Sequence, residues 1–148
     1  MKRHGNLYNK ITTFENICEA YRKAALGRRY TCEVLSFRNN LEENLISIQE
    51  DLVTRTYQPG PYWTFTIHEP KTRLIYVSPF RDRVVHHAIM NVIEPVWDHL
   101  FIYDSYACRK MKGSHDAMYR VVKFFREAKQ QWDRVYCLKA DVTKFFPS

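Results

Sequence analysis

The chain changes its hydrophobic period sharply at Pro59-Gly60-Pro61. A glycine between two prolines does not continue a helix. Each proline lacks an amide donor and pushes the residue before it towards extended backbone. Before this break, apolar residues recur at helical spacing; after it, they alternate. The fold must therefore place helices first and then start a sheet.

On the helical side, Thr12 and Glu15 stand three apart, the spacing of a capping box. They open a helix whose Phe14, Ile17, Cys18, Tyr21 and Ala25 share one face, with Gly27 as its stop. A second helix starts near Asn39 or Asn40. Its apolar stripe is Leu41, Leu45, Ile48 and Leu52, with Glu42, Glu43, Glu50 and Asp51 mostly off that face.

Beyond the break, Trp63, Phe65 and Ile67 alternate with Tyr62, Thr64 and Thr66, the pattern of a half-buried strand. Glu69-Pro70-Lys71-Thr72 forms the turn and Arg73 to Val77 the return, which puts Lys71 and Arg73 near a hairpin tip. Pro79 closes the hairpin, and Asp82 is placed to cap the next helix. That helix carries Val84, Val85, Ala88, Ile89, Val92 and Ile93 as a wide buried stripe until Pro95 disturbs it. Phe101 to Met111 has no period and predicts a loop. Gly113-Ser114 opens a further helix, with Ala117, Met118, Val121, Val122 and Phe125 facing inward. Val135 to Asp141 alternates as a short buried strand. The order of elements predicts an α+β fold.

Composition narrows the function. With 148 residues, 45% hydrophobic and 26% charged, the chain can build one core and is not a disordered tail. Lys and Arg number 23 against 16 Asp and Glu, a net charge of +7 that favours a polyanionic partner. Basic and aromatic residues interleave at Arg28-Arg29-Tyr30, at Tyr21-Arg22, and at Tyr106 with Arg109 and Lys110, a mixture suited to single-stranded nucleic acid. A solvated basic face accounts for the charge equally well. No apolar run approaches the ~18 residues of a membrane span, so no membrane partner is expected. The basic N-terminus lacks a following apolar segment, and Cys18, Cys32, Cys108 and Cys137 form no CxxC pair. Both features suit a cytoplasmic location.

Several residues could carry chemistry. Asp141, at the end of the expected strand, is held on a rigid element at a sheet edge, which suits a hard cation. Taken alone it caps a turn at least as readily. Lys71, Arg73, Arg81 and Arg83 cluster around the hairpin and the next helix start; they suit triphosphate oxygens, or simply keep an edge soluble. His86 and His87 lie about 100° apart on a helix, so they do not serve one metal and fit a core edge or a surface. His115 follows a helix start, where it caps or meets a phosphate. There is no Ser-His-Asp arrangement, no Walker-type loop and no dinucleotide fingerprint.

The order of three segments is more specific. Lys71-Thr72-Arg73-Leu74-Ile75-Tyr76-Val77-Ser78-Pro79-Phe80-Arg81-Asp82-Arg83-Val84-Val85-His86-His87-Ala88 resembles the first block of bacterial reverse transcriptases. Asp104-Ser105-Tyr106-Ala107-Cys108-Arg109, with Lys112-Gly113-Ser114-His115-Asp116-Ala117, resembles the second. Leu138-Lys139-Ala140-Asp141-Val142-Thr143-Lys144-Phe145-Phe146-Pro147-Ser148 resembles the third, which opens the palm. The opening stretch, Arg3 to Leu7 through Tyr21-Arg22-Lys23, is similar to the start of enzymes from diversity-generating retroelements. Group II intron and retron enzymes are neighbours of that subgroup.

The resemblance implies RNA-directed DNA synthesis on a right-handed polymerase fold. The α+β architecture would then be a helical region at 1–60, fingers at 61–134 and the start of a palm at 135–148, leaving the right hand incomplete. Asp141 matches the first metal-binding carboxylate for Mg²⁺ (or Mn²⁺), with the carbonyl of Val142 sharing the ion. Arg73 matches a contact to the incoming triphosphate, with Lys71 and Arg81 as weaker candidates. Phe146 matches the bulky residue that rejects a 2′-hydroxyl. Tyr106, Arg109 and His115 match the block that shapes the template channel and are assigned as nucleic-acid-facing. The implied partners are an RNA template, a DNA primer and dNTP, with room for an accessory protein of the retroelement. The family's later Tyr-x-Asp-Asp segment and thumb are not in these residues, so an N-terminal portion of a longer product, inactive alone, is expected. A basic nucleic-acid-binding module without catalysis is the alternative.

Overall fold

The computed structural model describes residues 3–142. Its elements run α1 (Leu7–Ile11), α2 (Phe14–Ala24), α3 (Cys32–Asn39), α4 (Leu41–Thr54), β1 (Trp63–Ile67), β2 (Arg73–Val77), α5 (Phe80–Asp98) and α6 (Ser114–Gln131). The architecture is α+β. The chain divides into two compact units, the first ending at Leu100 and the second starting at Phe101. None of the described helices is long and apolar enough to cross a membrane.

The first unit is built on α2, which packs along α5 and against α4. Ile17, Ala20, Ile48, Val84 and Ala88 are wholly excluded from solvent, and Val34 of α3 joins them. The alanines let the α2 and α5 backbones approach closely, while each buried Ile contributes about 1.5–3 kcal/mol. Tyr21, Phe37 and Phe80 close one end of this core, with ring centroids 5.1–6.2 Å apart. A polar chain joins the same helices. The Asn16 amide donates to the carbonyls of Ile11 and Ala88, both at 2.9 Å, and Asn91 donates to Asn16 at 2.9 Å. Because α5 shares a core with the N-terminal helices, the Pro59–Pro61 break separates local structure but not packing.

The α4 helix follows its predicted stripe, with Leu45, Ile48 and Leu52 buried. The hairpin forms over the expected strands, with Trp63 opposite Val77 and Ile67 opposite Arg73. Its burial does not match expectation: every β1 residue is exposed, and in β2 only Ile75 and Val77 are half-buried.

Other expectations are corrected. The cap of α2 is Thr13, whose hydroxyl accepts from the Asn16 amide at 3.4 Å; Thr12 instead ends α1. Gly27 does take the left-handed conformation after that helix, with φ 74°. Asp82 does not cap α5, because it lies inside the first turn, buried, and spends its oxygens on the preceding linker. Pro95 does not end α5, which runs on to Asp98. Proline removes the bond its own amide would have made to Asn91 and crowds that carbonyl, a disturbance confined here to the last turns of the helix. The inward-facing stripe of α6 is not covered, since no residue of α6 is buried. Val135–Asp141 is not a strand; Tyr136 and Leu138 are 87% and 92% exposed. A strand needs a ladder partner, and the described residues offer this segment none.

Candidate nucleic-acid interface

The hairpin leaves the helical core at a narrow neck. The Asp82 carboxylate accepts from the Tyr57 hydroxyl at 2.5 Å and from the Gly60 amide at 2.8 Å. Burial, then the Asp82 hydrogen bond, pushes the Tyr57 hydroxyl far above the usual phenol range, so it stays a donor. A Cβ on Gly60 would sit 2.9 Å from the Pro79 ring, so the two ends of the hairpin meet where only glycine fits.

From this neck the hairpin carries Lys71 and Arg73 outward. Lys71 lies in the turn and Arg73 opens β2 opposite Ile67; both are exposed, without an ion pair among the described residues. Arg81 and Arg83 differ. Arg81 is paired with Asp51 of α4 and lies 5.1 Å over the Tyr57 ring. Arg83 is paired with Glu33 of α3 and lies 5.4 Å over Phe80. The structure therefore ties Arg81 and Arg83 to the helices and leaves Lys71 and Arg73 available. His86 is exposed and His87 half-buried, as their spacing suggests. Burial, reinforced by Lys23 and His86, holds the His87 imidazole below its ordinary range.

The second unit orders its loop by charge and aromatic contact. Arg120 of α6 donates through Nε to Asp104 at 2.9 Å, and the Tyr106 hydroxyl donates to the same oxygen at 3.1 Å. The Arg120 hydrogen bond holds the Asp104 carboxyl below the usual range, and its own guanidinium is raised in return. Burial, then Asp104, raises the Tyr106 hydroxyl. Lys112 sits 3.9 Å over the Tyr103 ring, and Arg120 4.4 Å over Phe124. Arg109 donates to the carbonyls of Ile102 at 3.1 Å and Ser105 at 3.3 Å, so it staples its loop. His115 is exposed as the second residue of α6. Asp104, Lys112 and Arg120 were not singled out as partners from sequence; the signal was an acid and two bases flanking an aromatic loop and the helix after it.

Asp141 and Val142 are exposed and outside any strand. Phe146 lies outside the described residues. No group of three His, Cys, Asp or Glu side chains is placed to hold a metal among the described residues, so those residues do not hold a pair of metal ions by themselves.

No family model matches the chain. It is 23% identical over 141 residues to "Nuclear intron maturase 2, mitochondrial" from Arabidopsis thaliana. The match covers 80% of this chain and 18% of that protein, so the chain spans less than a fifth of its relative's length. The chain is thus distantly similar to an intron maturase through most of its length.

Proposed function

We infer that this chain is the nucleic-acid-binding fingers portion of an RNA-directed DNA polymerase of the diversity-generating retroelement type. Three ordered blocks and the distant likeness to a protein named as an intron maturase support the reading. The observation that carries it is the hairpin tip, where Lys71 and Arg73 project as the available cations of the first block. In the whole protein they would neutralise the triphosphate of a dNTP as a primer 3′-hydroxyl displaces pyrophosphate on an RNA template. Tyr106 and His115 would face the template. Mg²⁺ would supply Lewis-acid chemistry in the whole protein. Asp141 would serve as one carboxylate of that metal site, to be completed by residues outside those described.

Primer extension by the natural gene product on an RNA template tests the reading. Arg73→Ala is expected to lower kcat/KM for dNTP at least about tenfold, about 1.4 kcal/mol of transition-state stabilisation. Asp141→Asn is expected to abolish extension with the fold intact by circular dichroism. Unimpaired extension in both variants overturns the assignment. A second reading, a binding module without catalysis, is favoured by the net charge of +7. A product that binds RNA in a strongly salt-dependent way, yet never extends a primer, would establish it.

A further inference from the structure

Within the first unit, an open groove of about 620 Å³ lies between the α2–α3 connection and the base of the hairpin. Its Arg28, Cys32, Trp63 and Phe65 have no part in the polymerase reading, whereas its β2 residues and Arg83 fall within the first block. One wall is β1, where Trp63 and Phe65 share a face with ring centroids 5.3 Å apart and planes within 29°. The two rings remain 51% and 42% exposed. The other wall is Arg28, Thr31, Cys32 and Glu33, whose carboxylate is already engaged by Arg83. Arg83 also lines the groove, and its buried Nε has no hydrogen-bond partner among the described residues. A second cleft runs on from Arg28 through Arg29, and a third places Arg29 beside Arg22 and Arg38. Arg28, Arg29 and Arg38 form no ion pair among the described residues; Arg22 is paired with Glu19.

A pair of half-exposed, stacked rings offers a flat π-surface that any nucleobase can join, whatever its sequence. Guanidinium groups beside it supply forked donors for phosphate oxygens. An apolar peptide would call for a closed pocket without cations, whereas this groove is open and leads into a line of arginines. A linear polyanion with flat apolar faces matches both features. We propose that the groove binds single-stranded nucleic acid, with bases stacked on Trp63 and Phe65 and phosphates on Arg28 and Arg29. The site borders the hairpin tip without including it: Lys71 and Arg73 are not among its lining, and Ile75, its nearest residue on β2, lies about 7 Å from Arg73 along the strand.

Cys32 provides a reporter inside the groove, and Cys137 is an exposed control outside it. The 148-residue chain, with twelve-nucleotide oligouridylate or oligothymidylate, is treated with a maleimide, and each cysteine is followed by peptide mass spectrometry. At an oligonucleotide concentration about ten times Kd, Cys32 labelling should slow about tenfold, while Cys137 keeps its rate. The two oligonucleotides separate an RNA-selective groove from one that takes either strand; protection by either supports the proposal. Trp63→Leu should weaken binding roughly 5- to 100-fold, the range for losing one stacked base. Arg28→Ala with Arg29→Ala should lower the salt slope by about 1.4, the single-strand value for two phosphates.

The groove is overturned if Cys32 labels at an unchanged rate while filter binding shows the chain loaded. It is equally overturned if all exposed cysteines are protected alike, or if neither oligonucleotide binds. The wild-type footprint needs no variant, so a misfolded Trp63→Leu leaves the test intact. The paired variant Lys71→Ala with Arg73→Ala separates this inference from the polymerase reading. Cys32 protection that survives it supports the groove alone. Unprotected Cys32 with binding lost on mutation of the tip sinks the groove and leaves the tip assignment standing.

Discussion

Helices α5 and α6 are nearly equal in length, 19 and 18 residues, and both carry apolar stripes that sequence alone marks as inward-facing. The outcomes differ. The first half of α5 buries Phe80, Val84, Val85 and Ala88 in a core with Ile17 and Ile48. α6 buries nothing, and Met118, Val121, Val122 and Phe125 stay 39–52% exposed. Its unit takes its order from exposed contacts, with Asp104 on Arg120 and cations over Tyr103 and Phe124. Periodicity identifies which face of a helix prefers to be dry. Whether that face becomes dry depends on what packs on it.

The largest test of this contrast is truncation in each stripe. Ile48→Ala should cost about 2–5 kcal/mol in urea unfolding, from lost transfer energy and a cavity. Phe125→Ala should cost less than about 1 kcal/mol, since no core closes around it. Equal losses would break the comparison.

A middle-sized effect is expected at the hairpin neck. Asp82→Ala leaves the Tyr57 hydroxyl and the Gly60 amide without their acceptor, at a cost of about 1–3 kcal/mol. Tyr57→Phe removes a donor and leaves Asp82 its bond to Gly60, so its loss should be smaller by the same measurement.

The smallest effect belongs to the second unit and depends on pH. The Asp104 carboxyl is held low when folded, chiefly by the Arg120 hydrogen bond. Its contribution is therefore complete above the ordinary carboxylate range and is lost as pH falls through the lowered value. The near-ultraviolet circular dichroism of Tyr103 and Tyr106 should fade over that fall, and salt should weaken the signal at neutral pH. Asp104→Asn should remove the pH dependence; a transition that persists in this variant assigns it elsewhere.

Much of the first unit was legible because its signals are local. The α4 stripe, the Pro59–Pro61 break and the two strands of the hairpin all follow from period and turn chemistry. The short helices α1 and α3 escaped, since five and eight residues carry too few turns for a stripe to stand out. Val135–Asp141 alternates as a strand does, but alternation supplies no ladder partner. The availability of Lys71 and Arg73 against the engagement of Arg81 and Arg83 was not legible either. That difference depends on Asp51 and Glu33, acids 30 and 50 residues away in the chain.

The pinch between Gly60 and Pro79 also governs how this protein can vary. Because the arm emerges and returns through one fixed pivot, residues added between Ile67 and Arg73 lengthen its reach without disturbing the helices beneath. Reach is thereby separated from stability. The distal end is free to vary in length, while a side chain at Gly60 would collide with the Pro79 ring.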